Sequence, residues 1–523
     1  MIYSSTISYP WQGLELDDAV TDVTRFTIKG AELGGVISAD VLLTSCRAAK
    51  HLKQAGYRRP TLLWLDRLCI KQEDEEDKRW QIKNMYDIYK RCALCLVLPG
   101  GLKRLAELSE QTTWAKRAWT LQEALVPDHV ECLFSWRKLS MKTTVSCDSV
   151  VVVEPFRSAV LSLEGLLNAT MTGLKYTLTE SGDGDYGNGF QIDAENEDED
   201  DDLSENPSSS EIKDLKLEDP QTDEIIDDDS SDWQNEGSEK EQGAESPIRE
   251  KPNTLTSTEA HVLYNVLKHR ESDRDMKEAA LWKCALMRTS SRPVDMVFSV
   301  MALFGVPLDP AFFDHNDREK ATLALAQGIL QSGGRATWLG ISLTMDPSPF
   351  MSTLPTFPET NVAGGAMIQT PTGPQSVENM VDSYWLLTET LTGSMDADGN
   401  FHTRSRAAAL KRAERSLKKE GRVITEFEIM GGEAEKWVVE PGSESDGQYY
   451  AIVIGERLSL QPPGASEIAY PDPIVLMIIR RHGTKPDRYD RKAFAGSTMK
   501  FVEGWPELDI CVGGPKGLRG YLK

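Results

Sequence analysis

The sequence predicts an α/β protein that opens on a parallel sheet with flanking helices, continues through a mainly helical region and ends in a small α+β module. Three observations carry this. Between Thr61 and Leu125, short apolar runs alternate with helix-patterned stretches, the signature of βαβ units and a parallel sheet. From Ser181 to about Thr254 the chain is acidic, rich in Ser, Asn and Gly, and nearly without aromatics, so it cannot bury enough surface to offset its ordering entropy. Toward the end of the chain, β-branched runs are separated by glycine turns, as strands require.

The elements follow in order. Ile2–Ser8 is rich in β-branched residues and reads as a first strand, from which Pro10 forces the chain out. Val41, Leu42, Cys46 and Ala49 mark a helical face within residues 38–54, ended by Tyr57-Arg58-Arg59-Pro60. Thr61–Leu65 is a short apolar run ending at Asp66, which suits a buried parallel strand. Ile82, Met85, Tyr86 and Tyr89 then fall on one helix face. Ala93–Leu98 is a second apolar run, closed by Pro99-Gly100-Gly101. In the next helix Trp114, Ala118, Leu121 and Leu125 share the face that packs on the sheet. Trp119 and Glu123, four residues apart, lie on a different face with Lys116 one turn earlier. His129–Phe134 adds a fourth strand, enough for a small doubly wound domain. Ligands of such sheets bind beyond the carboxyl ends of the strands, where Ser8, Tyr9, Asp66 and the Pro99 loop fall.

At 523 residues the chain is too long for one core and is expected to form about two to four domains. The expected division is an α/β domain over 1–155, an acidic disordered linker over 181–254, a helical region over 255–345 and an α+β module over 376–523. The net charge of −24 is local in origin: residues 181–250 hold 26 Asp and Glu against 4 Lys and Arg. The rest of the chain is close to neutral, so nothing in the balance indicates nucleic-acid binding. No apolar run is long enough for a membrane span, and the first residues lack the pattern of a secretory leader. Eight scattered cysteines suit reduced thiols in a cytoplasmic protein.

Beyond the fourth strand the signal is mixed. Residues 149–178 combine an apolar run, VVVVEP, with a helix-like stretch. Helices are expected over 261–288 and 318–330, and Asp346–Gln375, rich in Pro, Thr and Gly, reads as a loop. Residues 404–422 hold 8 Lys and Arg against Glu414 and Glu420 and read as a basic helix, either a solvated face or a surface for nucleic acid, anionic lipid or the chain's own acidic linker. Tyr449–Ile454, Ile474–Ile479 and Asp509–Val512 read as strands.

Four elements together resemble the fungal heterokaryon-incompatibility (HET) domain. They are Ser8-Tyr9-Pro10-Trp11 with Gly13, WLDRLCIKQ over Trp64–Gln72, MYDIY over Met85–Tyr89, and RAWTLQE over Arg117–Glu123. Two departures stand out: Gln12 precedes the glycine, and Lys71 stands where Asn is common. A weaker similarity lies in Ser291–Pro310, which is similar to a segment found downstream in such proteins. HET domains in turn resemble TIR domains, with a flavodoxin-like fold, and AWTLQEAL falls where the TIR motif carries its Trp and Glu. The resemblance therefore implies a role in non-self recognition and programmed cell death, activation by self-association of HET domains or by a partner protein, and NAD as a substrate. It implies no resident cofactor.

For Glu123, the enzymatic reading is cleavage of the ribose–nicotinamide bond. The leaving group departs neutral and needs no acid, so one carboxylate suffices to hold the ribose and stabilise an oxocarbenium-like transition state. Trp119 would form an apolar wall beside it. The alternative is a helix glutamate paired locally with Lys116 or Arg117. Asp66, Cys69 and Gln72 would line the same crevice, or else Asp66 caps a turn and Cys69 is a small buried hydrophobe. Ser8 and Tyr9 end the first strand at the ligand edge, and Trp11 is either core or ligand wall. Cys92 and Cys95 form a lone CxxC with no second pair at ligand spacing, so no metal site is expected.

Overall fold

The computed structural model describes residues 4–16, 24–54, 62–136, 144–145, 148–172, 176–178, 248–250, 255–270, 273–341, 345–361, 364–370, 372–412, 426–428, 436–439, 448–460, 473–482, 489–497 and 499–513. Apart from Ile248–Glu250, the acidic stretch of residues 181–254 lies outside them.

The N-terminal sheet is built from β1 (Ser4–Ser8), β2 (Leu62–Trp64), β3 (Leu94–Val97), β4 (Val130–Ser135), β5 (Val151–Glu154) and β6 (Ser158–Ser162), with α1 (Ala39–Gln54), α2 (Glu75–Lys90) and α3 (Ala118–Leu125) between the first four strands. Its order is β2-β1-β3-β4-β6-β5. The first four are parallel, with Ser5 between Leu63 and Leu94, while β6 runs antiparallel to both β4 and β5. The mixed stretch after residue 149 thus resolves into two antiparallel strands, of which β5 forms the sheet edge, and a helix, α4 (Leu163–Thr172).

Alternation along β3 shows why the sheet is covered on both sides. Leu94, Leu96 and Leu98 join Ile7 and the α1 residues Val41, Ala48 and Leu52 in one core. Val97 points the other way and meets Trp114, Leu121 and Leu125. Successive strand side chains take opposite faces, so a fully buried strand must be apolar throughout. α2 begins at Asp74, whose side chain accepts from the backbone N–H groups of Glu76 and Asp77, and it buries Met85 and Tyr89 on the expected face. α3 is shorter than its pattern suggests: Trp114–Lys116 forms a separate 3-10 turn, because Arg117 is extended (φ −86°, ψ 137°).

Past the acidic stretch come α5 (Ser257–Lys268), α6 (Arg274–Leu286), α7 (Asp295–Met301) and α8 (Arg318–Gln331). α5 is started by a capping box between Thr256 and Glu259. α7 packs against α3. The sheet that follows contains β7 (Trp385–Thr388), β8 (Phe401–Arg412), β9 (Tyr449–Ser459), β10 (Ile474–Arg481), β11 (Tyr489–Ser497) and β12 (Glu507–Val512). β9, β10, β11, β12 and β8 pair in that order, and β8 pairs back onto β9, so the ladder closes on itself.

Two expectations are corrected here. Residues 401–412 form β8 rather than a basic helix, and residues 413–422 lie outside the described residues. Along β8, Thr403, Ser405, Ala407 and Ala409 are buried while His402 and Arg404 are exposed, a period of two that pairing with β9 and β12 rewards. Within the expected loop 346–375, Met367–Thr370 and Gly373–Ser376 form a hairpin, turned at Gly373 (φ 109°), a value glycine tolerates. A single apolar cluster runs from Val97 and Leu121 through Leu281, Trp282 and Trp338 to Phe401 and Val512. The outer face of the N-terminal sheet, the helices and the last sheet share it.

Candidate functional site

At the carboxyl ends of β1 and β2 the chain is tied into a knot around Asp66. One carboxylate oxygen accepts from the Tyr9 hydroxyl and, at 2.6 Å, from the Arg67 backbone N–H; the other accepts from Trp11 Nε1 at 2.6 Å. Gln72 Nε2 donates to the Asp66 carbonyl at 3.1 Å. Burial raises the Asp66 carboxyl above its ordinary range, while the bonds from Tyr9 and Trp11 pull it back. Burial and the neighbouring Asp66 likewise push the Tyr9 phenol well up, so it stays a donor. Arg67 is fully buried and gives its guanidinium to the carbonyls of Gly34 (2.9 Å), Ala31 (3.5 Å) and Gly35, which fixes the loop before α1. Gly13 answers to the same packing: a Cβ there would stand 2.1 Å from the Gly100 carbonyl oxygen.

Glu123 projects from α3 into this region. Burial raises its carboxyl from 4.5 to about 8, against the opposing pull of hydrogen bonding to Ser8, while Asp66 adds a further upward push and Tyr89 and Arg117 pull it down. The carboxyl is therefore mostly neutral at pH 7. Its Oε2 is buried and has no hydrogen-bond partner among the described residues, although the side chain as a whole is only half-buried. Ser8 sits behind it: fully buried, its Oγ accepts from Trp114 Nε1 at 2.8 Å, which leaves its own proton for the Glu123 carboxyl.

Between the Asp66 knot and Glu123 lies a cavity of about 340 Å³, within the size range of small-molecule sites. Tyr9, Trp11, Asp66, Gln72, Trp119 and Glu123, all expected from the sequence, line it. Ser8 supports Glu123 from the core, and Cys69 is exposed and faces a separate groove beside Lys29 and Asp74. The cavity also takes residues from beyond the acidic stretch: Ser290, Ser291, Arg292 and Asp295 complete its lining together with Arg117.

That far wall is docked by backbone bonds. Thr289 N–H donates to the Lys116 carbonyl (2.8 Å), and Ala118 N–H donates to the Thr289 carbonyl (2.9 Å). The buried Arg288 gives Nη1 to the carbonyls of Ala115 and Arg117 (3.2 Å to the latter) and to Thr120 Oγ1 at 3.2 Å. Asp295 opens α7; burial raises its carboxyl, and Arg292, a hydrogen bond from Trp119, Ser290 and Arg117 lower it. The 172-residue gap between Glu123 and Asp295 explains why sequence patterning alone leaves this wall unseen. The one pointer was the weak similarity over Ser291–Pro310.

Residues 5–108 match the family model described as Heterokaryon incompatibility protein (HET). The chain carries a HET domain. Heterokaryon incompatibility protein 6, OR allele, of Neurospora crassa is 34% identical over 96 residues, which cover 17% of this chain and 14% of that protein; the chain thus spans a small part of the length of the curated relative it matches. No solved structure matches the chain. The matched stretch of the HET domain holds the whole Asp66 knot, whereas Trp119, Glu123 and the 290–295 wall fall after it.

Chemically, the cavity offers a neutral carboxyl with one unpartnered oxygen, three aromatic walls and two guanidiniums. Asp66 accepts from three donors and serves as the organiser of Tyr9 and Trp11. Among the described residues no group of three or more His, Cys, Asp or Glu side chains is gathered to hold a metal ion, no cysteine is in a disulfide, and no helix is long and apolar enough to cross a membrane.

Proposed function

We propose that this HET-domain protein acts in the cytoplasm in fungal non-self recognition and programmed cell death, and that its N-terminal cavity cleaves NAD at the bond between ribose and nicotinamide. The observation that carries the reading is Glu123, a carboxyl with a buried, unpartnered oxygen in a cavity of about 340 Å³ walled by Trp119. The strand order β2-β1-β3-β4 supports a flavodoxin-like, TIR-related sheet, since that fold places its second strand outside its first and binds ligands at the carboxyl ends.

In this reading the C–N bond breaks and its electron pair leaves with the nicotinamide nitrogen, which thereby loses its positive charge. The ribose is left as an oxocarbenium ion. The Glu123 carboxylate stabilises that charge from its buried position on α3, water adds to the anomeric carbon, and one proton is released. A cationic pyridinium entering the cavity favours the ionised form of Glu123, so the substrate itself brings the carboxyl into its working state. Activation is by self-association of HET domains or through a partner protein.

The test is NAD consumption by the purified full chain, free and clustered on a support, beside Glu123→Ala and Glu123→Gln. Loss of NAD with the wild type alone supports the reading. No loss from the folded, clustered full chain overturns catalysis, and the protein then signals as a non-catalytic module through HET–HET assembly.

A further inference from the structure

We propose that Ser8 and Tyr89 are positioning residues for Glu123: two buried hydroxyls, anchored from behind by Trp114 and by the Ile7 carbonyl, that donate hydrogen bonds to the carboxylate once it ionises. The proposal deepens the preceding one and rests on its assignment of charge stabilisation to Glu123.

Strand alternation brings both hydroxyls to one side of the sheet. Ile7 packs into the α1 core, so Ser8, the last residue of β1, points to the opposite face, where α3 lies against β1. Trp114 Nε1 donates to Ser8 Oγ at 2.8 Å, and both residues are fully buried. With the indole on its oxygen and no water at hand, the Ser8 hydroxyl has one proton left to place. The acceptor beside it is the Glu123 carboxyl. Tyr89 reaches the same carboxyl from α2, which packs against α3. Its ring stands edge-on to Trp64 at 5.7 Å, and its hydroxyl donates to the Ile7 carbonyl at 3.1 Å. A neutral carboxyl leaves that bond in place. A carboxylate is the stronger acceptor and draws the phenol O–H to itself.

Other titratable groups face Glu123 from every side. Asp66 and Tyr9 do so from the ends of β2 and β1, Cys95 from β3, Arg117 from the start of α3, and Arg288 from the docked far wall. Burial keeps the Tyr9 phenol and the Cys95 thiol protonated. Asp66 opposes ionisation of Glu123 by its charge and Arg117 favours it. Arg288 favours it too, while its guanidinium is bonded to the carbonyls of Ala115 and Arg117. These groups act by charge. Ser8 and Tyr89 act by direct bonds that are lost when a single oxygen is deleted. Burial keeps the Tyr89 phenol protonated as well, so it remains a donor wherever Glu123 ionises.

The experiment is chemical unfolding of the full chain from pH 4 to 10, in three pairs that differ only by Glu123→Gln: wild type, Ser8→Ala and Tyr89→Phe, each with and without it. Packing lost with the hydroxyl is common to both members of a pair and cancels in their stability gap. Each gap levels off at the pH where Glu123 ionises in the folded chain. In the wild type this is about 8, and in each hydroxyl-deleted pair the levelling is expected about one pH unit higher. A shift in one pair alone keeps that hydroxyl and strikes the other, and if Ser8→Ala does not fold, Tyr89→Phe decides. Gaps that level off where the wild type does overturn the proposal, whether or not NAD is consumed. A shift in a chain that consumes no NAD keeps the two donors and removes only the chemistry they would serve.

Discussion

Replacing Glu123 by Gln should make the protein more stable, by an amount that depends on pH in a way only a buried neutral carboxyl produces. Gln keeps the shape and the acceptor toward Ser8 but does not ionise. In the folded chain the Glu123 carboxyl titrates at about 8 against an ordinary 4.5. Between those values the folded state keeps a proton that the unfolded chain has released, so the unfolded state binds fewer protons and stability falls as pH rises. Below 4.5 both states are protonated and the penalty is absent. At about 1.4 kcal/mol per pH unit it grows to about 3 kcal/mol at pH 7 and levels off near 5 kcal/mol above pH 8. Groups that do not interact with Glu123 titrate alike in both proteins and cancel in the difference. The measurement is chemical unfolding of wild type and Glu123→Gln, followed by circular dichroism, at pH values from 4 to 8.5. The gap between the two curves should be near zero at the acid end and open across the window from 4.5 to 8. A gap that stays constant with pH would refute the reasoning, because Glu123 would then ionise in the folded chain as it does in water.

Two further outcomes follow from the same geometry. If the ionised carboxylate is the working form, kcat/KM for NAD should rise about tenfold per pH unit and flatten above about pH 8; a flat profile between pH 6 and 9 argues against Glu123. Arg67→Met leaves the carbonyls of Ala31, Gly34 and Gly35 without their shared donor and should cost on the order of 3 kcal/mol in chemical unfolding, with a neutral result showing that the loop is held otherwise.

How far a sequence reveals such a site depends on whether the cause is local. Trp119 and Glu123 were legible because the core face of their helix was already filled by Ala118, Leu121 and Leu125, so two residues on another face called for a use. Asp66 and Tyr9 were legible because apolar runs end just before them, and strand ends are where open sheets bind ligands. β8 was not legible. Its inward residues are Thr403, Ser405, Ala407 and Ala409, small side chains whose alternation with arginines hides a period of two behind helix-forming composition. The strand is fixed by partners on both sides rather than by its own preferences. Arg292 and Asp295 were illegible for the same reason at longer range. Nothing within a few residues of either announces a ligand; their place in the cavity is set by the bonds of Thr289 to Lys116 and Ala118 and by Arg288 beneath Arg117. It follows that the N-terminal sheet alone holds only part of the cavity. A fragment ending before α5 keeps Glu123 and the Asp66 knot but loses Asp295, the hydrogen-bond partner of the Trp119 ring, and with it the wall that the full chain presents to a ligand.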